Sequence, residues 1–270
     1  MPYSKIVDIL YFWYHFSGFD CTFVRKRYPQ NCLIMCYKVS TPDKDQLEGY
    51  FQKEEVNQGQ IFTIDEYPHY FHADGFTRPF LPITSGDSPR AVKQARWKLL
   101  PRLVKNEAEA VKYANTLNAR CEDVFNLYSY RDYIEIDRCL VWVNGFFEPN
   151  HPTPKETIPY YVTMQNKEPF TLGGLYADWK NKDTGETYRT FSIITTPPND
   201  LLREIHNEGQ RMPLVITPQE RDTWIGKLSK PEIIDMMKPL PDGILQGYPV
   251  SGLVYKRGVD NNVPEAIAPL

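Results

Sequence analysis

Twenty-three prolines are scattered along this chain between short apolar runs, and no single tract collects them. Proline lacks the N–H that a helix interior or a central strand requires, so regular elements here must be short and separated by turns. Eighteen Tyr, fourteen Phe and five Trp favour pleated surfaces. The pattern fits a β-rich domain better than a helical bundle. At 270 residues and 41% apolar, the chain can bury one sizeable core without needing two. Strands outnumber helices and βαβ alternation is scarce. The expected class is α+β: a single domain with a largely antiparallel mixed β-sheet core and peripheral helices.

Residues 1–34 differ in character from the rest of the chain. They are dense in aromatics, contain Arg25-Lys26-Arg27, and show neither helical nor alternating periodicity. They read as an N-terminal extension: sequence upstream of a true initiator at Met35, a pro-segment, or an accessory arm. From there a domain is expected over 35–255, with 256–270 as a C-terminal tail. Leu33 to Val39 reads as a strand, and Thr41-Pro42 as N-cap and first residue of a helix to about Gln52. Residues 60–100 read as short strands broken by Pro and Gly. Asn106 can cap a helix through Tyr113. Cys139–Val143, Pro159–Met164, Phe170–Leu175, Tyr188–Thr195 and Leu245–Val250 read as strands. Short helices are expected at Asn199–Ile205, from the Thr217–Glu220 capping box to Leu228, and at Glu232–Met237.

A formal net charge of −3 excludes a broadly basic coat, so any nucleic-acid contact has to be local. Five cysteines (Cys21, Cys32, Cys36, Cys121, Cys139) are odd in number and lack CxxC spacing, which argues against a zinc site or a disulfide framework. No metal or cofactor is expected. No apolar stretch is long enough for a bilayer, and the greasy start lacks the features of a signal peptide. The expected setting is cytoplasmic, and the expected state a monomer.

Four residues could carry chemistry. Cys36 directly follows a methionine; with Met35 removed, it would present a free α-amine beside its thiol. Such an amine titrates near pH 8 and is partly nucleophilic at neutral pH. An aldehyde would condense with it to an imine, and the thiol would close a thiazolidine ring. The plainer reading is a buried strand cysteine. Asn118, in Asn118-Ala119-Arg120, offers a donor and an acceptor, and Arg120 a fork suited to phosphate; equally, they are a turn and a solvated charge. Glu148 ends the apolar run that includes Val141-Trp142-Val143 and two Phe. Desolvation there would suit it to acid–base work, unless it simply faces water. His206 closes a short helix, where the dipole favours its charged form for phosphate contact or proton donation; the alternative is an ordinary C-cap.

Arg90, Lys93, Arg96, Lys98, Arg102 and Lys105 carry positive charge with no acid between them, interleaved with Trp97. Cations for phosphate and an aromatic for base stacking suit single-strand binding, against the alternative of a solvated face.

In this order, Met35-Cys36-Tyr37, Trp97 to Pro101, Asn118-Ala119-Arg120, Gly145-Phe146-Phe147-Glu148, Pro159-Tyr160-Tyr161, Ala177-Asp178-Trp179, Ser192 to Thr196 and Ile205-His206 through Arg211-Met212-Pro213 resemble the SRAP (SOS-response-associated peptidase) family over about 35–250. The resemblance implies a DNA-repair protein that binds single-stranded DNA in a positive cleft and forms a covalent thiazolidine crosslink with abasic sites. By that likeness Cys36 is the nucleophile and Asn118 orients the sugar and the amine. Glu148 shuttles the proton that opens the sugar ring, and His206 sits near the phosphate. Lys38, Arg96, Trp97, Lys98, Arg120 and Arg211 would hold the strand. Two departures stand out: Lys98 replaces the family's usual Gly, and Pro149 replaces an aromatic after Glu148. The 34 residues before Met35 would block the amine if retained. Competing readings are a thiol peptidase or autopeptidase using Cys36, His206 and Glu148, and a non-catalytic single-strand binder.

Overall fold

The computed structural model describes residues 37–58, 60–111, 116–256 and 258–270. The chain divides into two units, 1–33 and 34–270, and the strands and helices named here all belong to the second. The predicted extension and most of the predicted Leu33–Val39 strand, with Met35 and Cys36, lie outside the described residues.

The centre is a closed five-stranded barrel. A hairpin of β4 (Phe80–Ser85) and β5 (Ser88–Trp97) pairs through β4 with β7 (Arg138–Val143). That strand pairs with β10 (Phe170–Lys180), and β10 with β11 (Thr187–Thr196). These pairings are antiparallel. The barrel is sealed by a parallel seam between β5 and β11, with Arg96 opposite Thr190 and Trp97 opposite Phe191. Closure removes the free edges that an open sheet of this size would expose. Short strands extend it: β2 (Thr63–Ile64) on β5, β6 (Asn118–Arg120) on β11, β12 (Met212–Pro213) on β11, and β13 (Val215–Ile216) on β10.

A second, five-stranded sheet runs in the order β14 (Leu245–Pro249), β9 (Glu156–Met164), β8 (Gly145–Thr153), β1 (Lys38–Ser40), β3 (Ala73–Asp74). Its inner face supplies Val39, Phe146 and Val162 to one core shared with Ile83, Trp97, Val141, Leu172 and Phe191 of the barrel. Each such side chain, fully buried, contributes about 1.5–3 kcal/mol by transfer from water. A separate core gathers Leu99, Ile134, Leu140, Leu175 and Trp224 on the far side. The fold is the α+β, largely antiparallel mixed sheet that the proline and aromatic pattern anticipates.

Local differences have identifiable causes. The first helix, α1, spans Lys44–Gln58 and starts later than expected. Asp43 and Gln46 form a reciprocal capping box, with Gln46 N donating to Asp43 Oδ1 at 2.8 Å and Asp43 N to Gln46 Oε1 at 3.0 Å. Thr41, just past the end of β1, bonds Tyr70 instead, its hydroxyl accepting Tyr70 N and its own N–H donating to Tyr70 O. Asn106 does cap α2, but that helix covers only Glu107–Ala110, and residues 112–115 lie outside the described residues. Asn199 caps α3 (Asp200–Ile205). The Thr217 capping box opens a 3-10 turn leading to α4 (Arg221–Ile225), which stops at Gly226 short of Leu228. Ser229 and Glu232 box the start of α5 (Lys230–Met236). Residues 258–270 fold back: Ala266 is buried with Val250 and Val254, and Asn262 accepts the backbone N–H groups of Phe71 and His72.

Candidate functional site

Strand alternation puts Phe146, Glu148 and Asn150 on one face of β8 and Gly145, Phe147 and Pro149 on the other. Phe146 anchors the inner face in the shared core, so Glu148 is driven inward with it and is 1% exposed. Pro149 sits opposite Pro159 on β9. Neither can donate to the ladder, and placing them against each other confines both missing donors to one rung.

His206 reaches the same place from another direction. It is the C-cap of α3 and is 1% exposed. Its Nδ1 lies 3.3 Å from Glu148 Oε2 and 3.0 Å from the carbonyl of Arg211. The carbonyl can only accept, so Nδ1 carries a proton and Nε2 is the ring nitrogen turned away from that contact. Gly209 lies flush against this edge: a Cβ there would stand 1.9 Å from Nε2. A side chain at 209 would have to displace the imidazole. The arrangement is a buried carboxylate and a buried imidazole in contact, each able to hold or pass a proton.

Asn118 lies on β6, 3% exposed, with its backbone carbonyl accepting from the Tyr130 hydroxyl at 2.9 Å. The same strand face carries Arg120, exposed at the rim and with no side-chain polar partner among the described residues. β6 runs parallel to β11 with Arg120 opposite Thr195. The Arg211 guanidinium binds the Thr195 carbonyl at 2.6 Å, while the Arg211 carbonyl holds His206. One arginine thus couples the Asn118 strand to the imidazole.

Arg211 is consequently not a surface phosphate ligand. It is 7% exposed and paired with Glu122 through two bonds at 2.5 and 3.0 Å. Trp97 is likewise corrected: it is fully buried, stacked on Phe191, its Nε1 donating to Leu117 O at 2.9 Å, and presents no face to a nucleobase. Lys98 is also interior, at 5% exposed, with Nζ donating to Ala110 O at 3.0 Å. Burial, followed by the nearby Arg78 charge, pushes its ammonium below the usual lysine range. Its φ is 122°, in the region that favours glycine, so the local backbone keeps a glycine-like shape although a lysine occupies it. Arg96 is paired with Glu107 at 2.6 Å and with the Tyr188 hydroxyl. Lys38 is paired with Asp74 at 2.6 Å.

The basic stretch changes meaning accordingly. Arg90 forms a bidentate pair with Asp222 at 2.7 Å, and Arg102 pairs with Asp137 at 2.7 Å. No acid lies within 90–105, but the fold brings acids from elsewhere to three of its arginines. Among the described residues no group of three His, Cys, Asp or Glu side chains could hold a metal, and no helix is long and apolar enough to cross a membrane.

The residues that sequence reading missed are Asn150, Asn207 and Gly209. Asn150 Nδ2 donates to the carbonyls of Glu204 and Ile205, each at 3.0 Å. Asn207 clasps His151, accepting from its N at 3.0 Å and donating to its O at 2.8 Å. Their only signal in the sequence is proximity to Glu148 and His206.

The sequence matches SOS response associated peptidase (SRAP) over residues 35–257. The chain belongs to the SRAP family. Among its relatives, abasic site processing protein YoqW of Bacillus subtilis is 31% identical, over 79% of this chain and 92% of that protein. Abasic site processing protein HMCES of Gallus gallus is 24% identical, over 72% and 62%. A crystal structure of a Bacteroides thetaiotaomicron protein superposes with a TM-score of 0.74 at 32% identity, covering 87% of this chain and all of that one. A Bordetella bronchiseptica structure, at 21% identity and TM-score 0.66, shares the fold.

Proposed function

We propose that this SRAP protein processes abasic sites in single-stranded DNA by a covalent crosslink through Cys36. The observation that carries the reading is the buried contact between Glu148 and His206, 3.3 Å apart, in a family whose relatives are named for abasic-site processing. Cys36 immediately precedes Tyr37, which packs in the same core cluster as Phe146 and Ile205, residues close in the chain to that pair.

In the proposed reaction Glu148 moves the proton that opens the abasic sugar to its aldehyde. The Cys36 α-amine adds to the aldehyde carbon and water leaves, giving an imine. The thiol then adds to the imine carbon, its proton passing to nitrogen, and a thiazolidine results. Asn118 orients the sugar, His206 supplies charge or a proton beside the phosphate, and Arg120 holds the strand. The protein acts as a monomer without a cofactor at the bacterial nucleoid, and the crosslink shields the site from strand cleavage. Self-cleavage between Met35 and Cys36 would free the amine, using the same Glu148–His206 pair.

The test compares the 270-residue chain with a form starting at Met35, each N-terminus fixed by intact mass. Both are mixed with a single-stranded oligonucleotide bearing one abasic site and run on a denaturing gel. A shifted band from the Met35 form, or from a full chain that mass shows to be cleaved before Cys36, is expected. Its absence from both overturns the covalent reading. Cys36→Ser abolishes the band and leaves reversible DNA binding intact.

A further inference from the structure

We infer that Asn150 is a positioning residue that sets the His206 imidazole against the Glu148 carboxylate, by holding the end of α3 to the strand that carries Glu148. This rests on the proposed roles of Glu148 and His206, and concerns how their contact is fixed.

Helix α3 has only six residues, too few to be stable on its own hydrogen bonds. Its last carbonyls have no helical partner and need an outside donor. Asn150 supplies it to two of them, Glu204 O and Ile205 O, with one amide. Because Asn150 and Glu148 project from the same face of β8, the anchor of the helix and the carboxylate are separated by one strand repeat of rigid backbone. His206 follows Ile205 directly. The next residue completes a second tie: Asn207 bonds both backbone groups of His151. Residues 148, 150 and 151 are thereby joined to 204, 205, 206 and 207 by a continuous set of contacts.

The remaining groups on the imidazole fix its ring plane without setting its distance to β8. The Arg211 carbonyl belongs to a residue pinned to β11 through its guanidinium on Thr195, so it holds the ring to the barrel and not to β8, while Gly209 lies in the loop after His206. Ile205 packs into the shared core and directly against Gly247 of β14, which holds the helix down. Of the two polar ties between this segment and β8, Asn150 is the one whose side chain lies on the Glu148 face of the strand. Its pattern, an amide two residues beyond the acid on the same strand, predicts a defined phenotype: substrate binding survives while the proton-handling pair loosens.

The experiment has two arms. In the first, imidazole nitrogen NMR on the 270-residue chain reads the tautomer and titration of His206, assigned with His206→Gln, in the parent and in N150A and N150D. The parent is expected to show one fixed tautomer with the proton on Nδ1. N150A should show exchange between tautomers and a displaced titration curve, and N150D a larger displacement at neutral pH that relaxes as its own carboxyl protonates and regains a donor. Identical His206 spectra in parent and N150A overturn the assignment. The second arm measures single-turnover crosslinking, using the form found to react, against oligonucleotide concentration. N150A should lower the saturating rate roughly 10–100-fold with half-saturation changed less than about threefold, as expected for misplacement of a reacting group. An equal loss in both, or none in either, overturns it. A parent that forms no crosslink sinks the covalent reading alone, because the spectra still decide Asn150.

Discussion

Two regions of the molecule invite opposite readings of polar residues. The stretch 90–105 is contiguous and basic, and in the folded chain Arg90, Arg96 and Arg102 are neutralised by Asp222, Glu107 and Asp137, while Lys98 is buried. The cluster of Glu148 and His206 is assembled from segments far apart in sequence, and both side chains are 1% exposed. A run of like charge shows what the chain lacks locally, and says nothing of what tertiary contacts will supply. Burial of a carboxylate against an imidazole costs free energy that packing alone would not favour, and such an expense points to function.

The contrast is most exposed to failure at Glu148. E148Q keeps the shape and removes the proton-carrying group, so crosslinking should fall by about 100-fold or more while fluorescence anisotropy with the same oligonucleotide is unchanged. Equal loss of binding would mean that the cluster is only structural.

A second buried imidazole serves as a reference. His72 is 3% exposed against Phe147, and burial, followed by the Lys38 charge, lowers its pKa to about 4. The unfolded chain keeps the ordinary value near 6.5 and so binds more protons between the two values. Stability from this group is complete above pH 6.5 and drains away as pH falls toward 4, by about 3 kcal/mol. Urea unfolding across that window should show a shallower pH slope for H72L than for the parent. Parallel slopes would remove His72 from the account.

Surface charge sharpens the contrast further. Arg120 is exposed without a side-chain polar partner among the described residues, whereas Arg90 is already paired. R120A should weaken single-strand binding about tenfold and reduce the salt slope by ~0.7, the value for one lost phosphate contact. R90A should change affinity less than about threefold with the slope intact. The reverse result would restore the basic stretch as the DNA surface.

The smallest effect concerns Lys98. K98A loses the bond to Ala110 and keeps φ at 122°, while K98G loses the same bond and relieves the backbone. K98G should be more stable than K98A by about 1 kcal/mol in denaturant titration.

Much of the fold could be read from the chain because its signals are local. Cys139–Val143, Pro159–Met164 and Tyr188–Thr195 announce themselves as strands, and Asn106, Asn199 and Thr217 lie where caps belong. Glu148 and His206 were legible from an acid among aromatics and a histidine at a helix end. The seam between β5 and β11 was not, since no local pattern encodes a pairing between strands so far apart. The same holds for the burial of Trp97 and the partners of Arg96 and Arg211. Asn150 meets the end of α3 and Gly209 meets the His206 ring through tertiary geometry, which residue type alone does not reveal.

That seam also sets a timetable. Joining Arg96 to Thr190 and Trp97 to Phe191 requires most of the intervening chain to exist and to be in place, an ordering cost met only late. β6 with Asn118 docks on β11, and His206 follows β11 in the chain. A polypeptide emerging from the ribosome would therefore carry Cys36 through most of its synthesis without Glu148 and His206 assembled beside each other, and the pair would come into being only as the barrel seals.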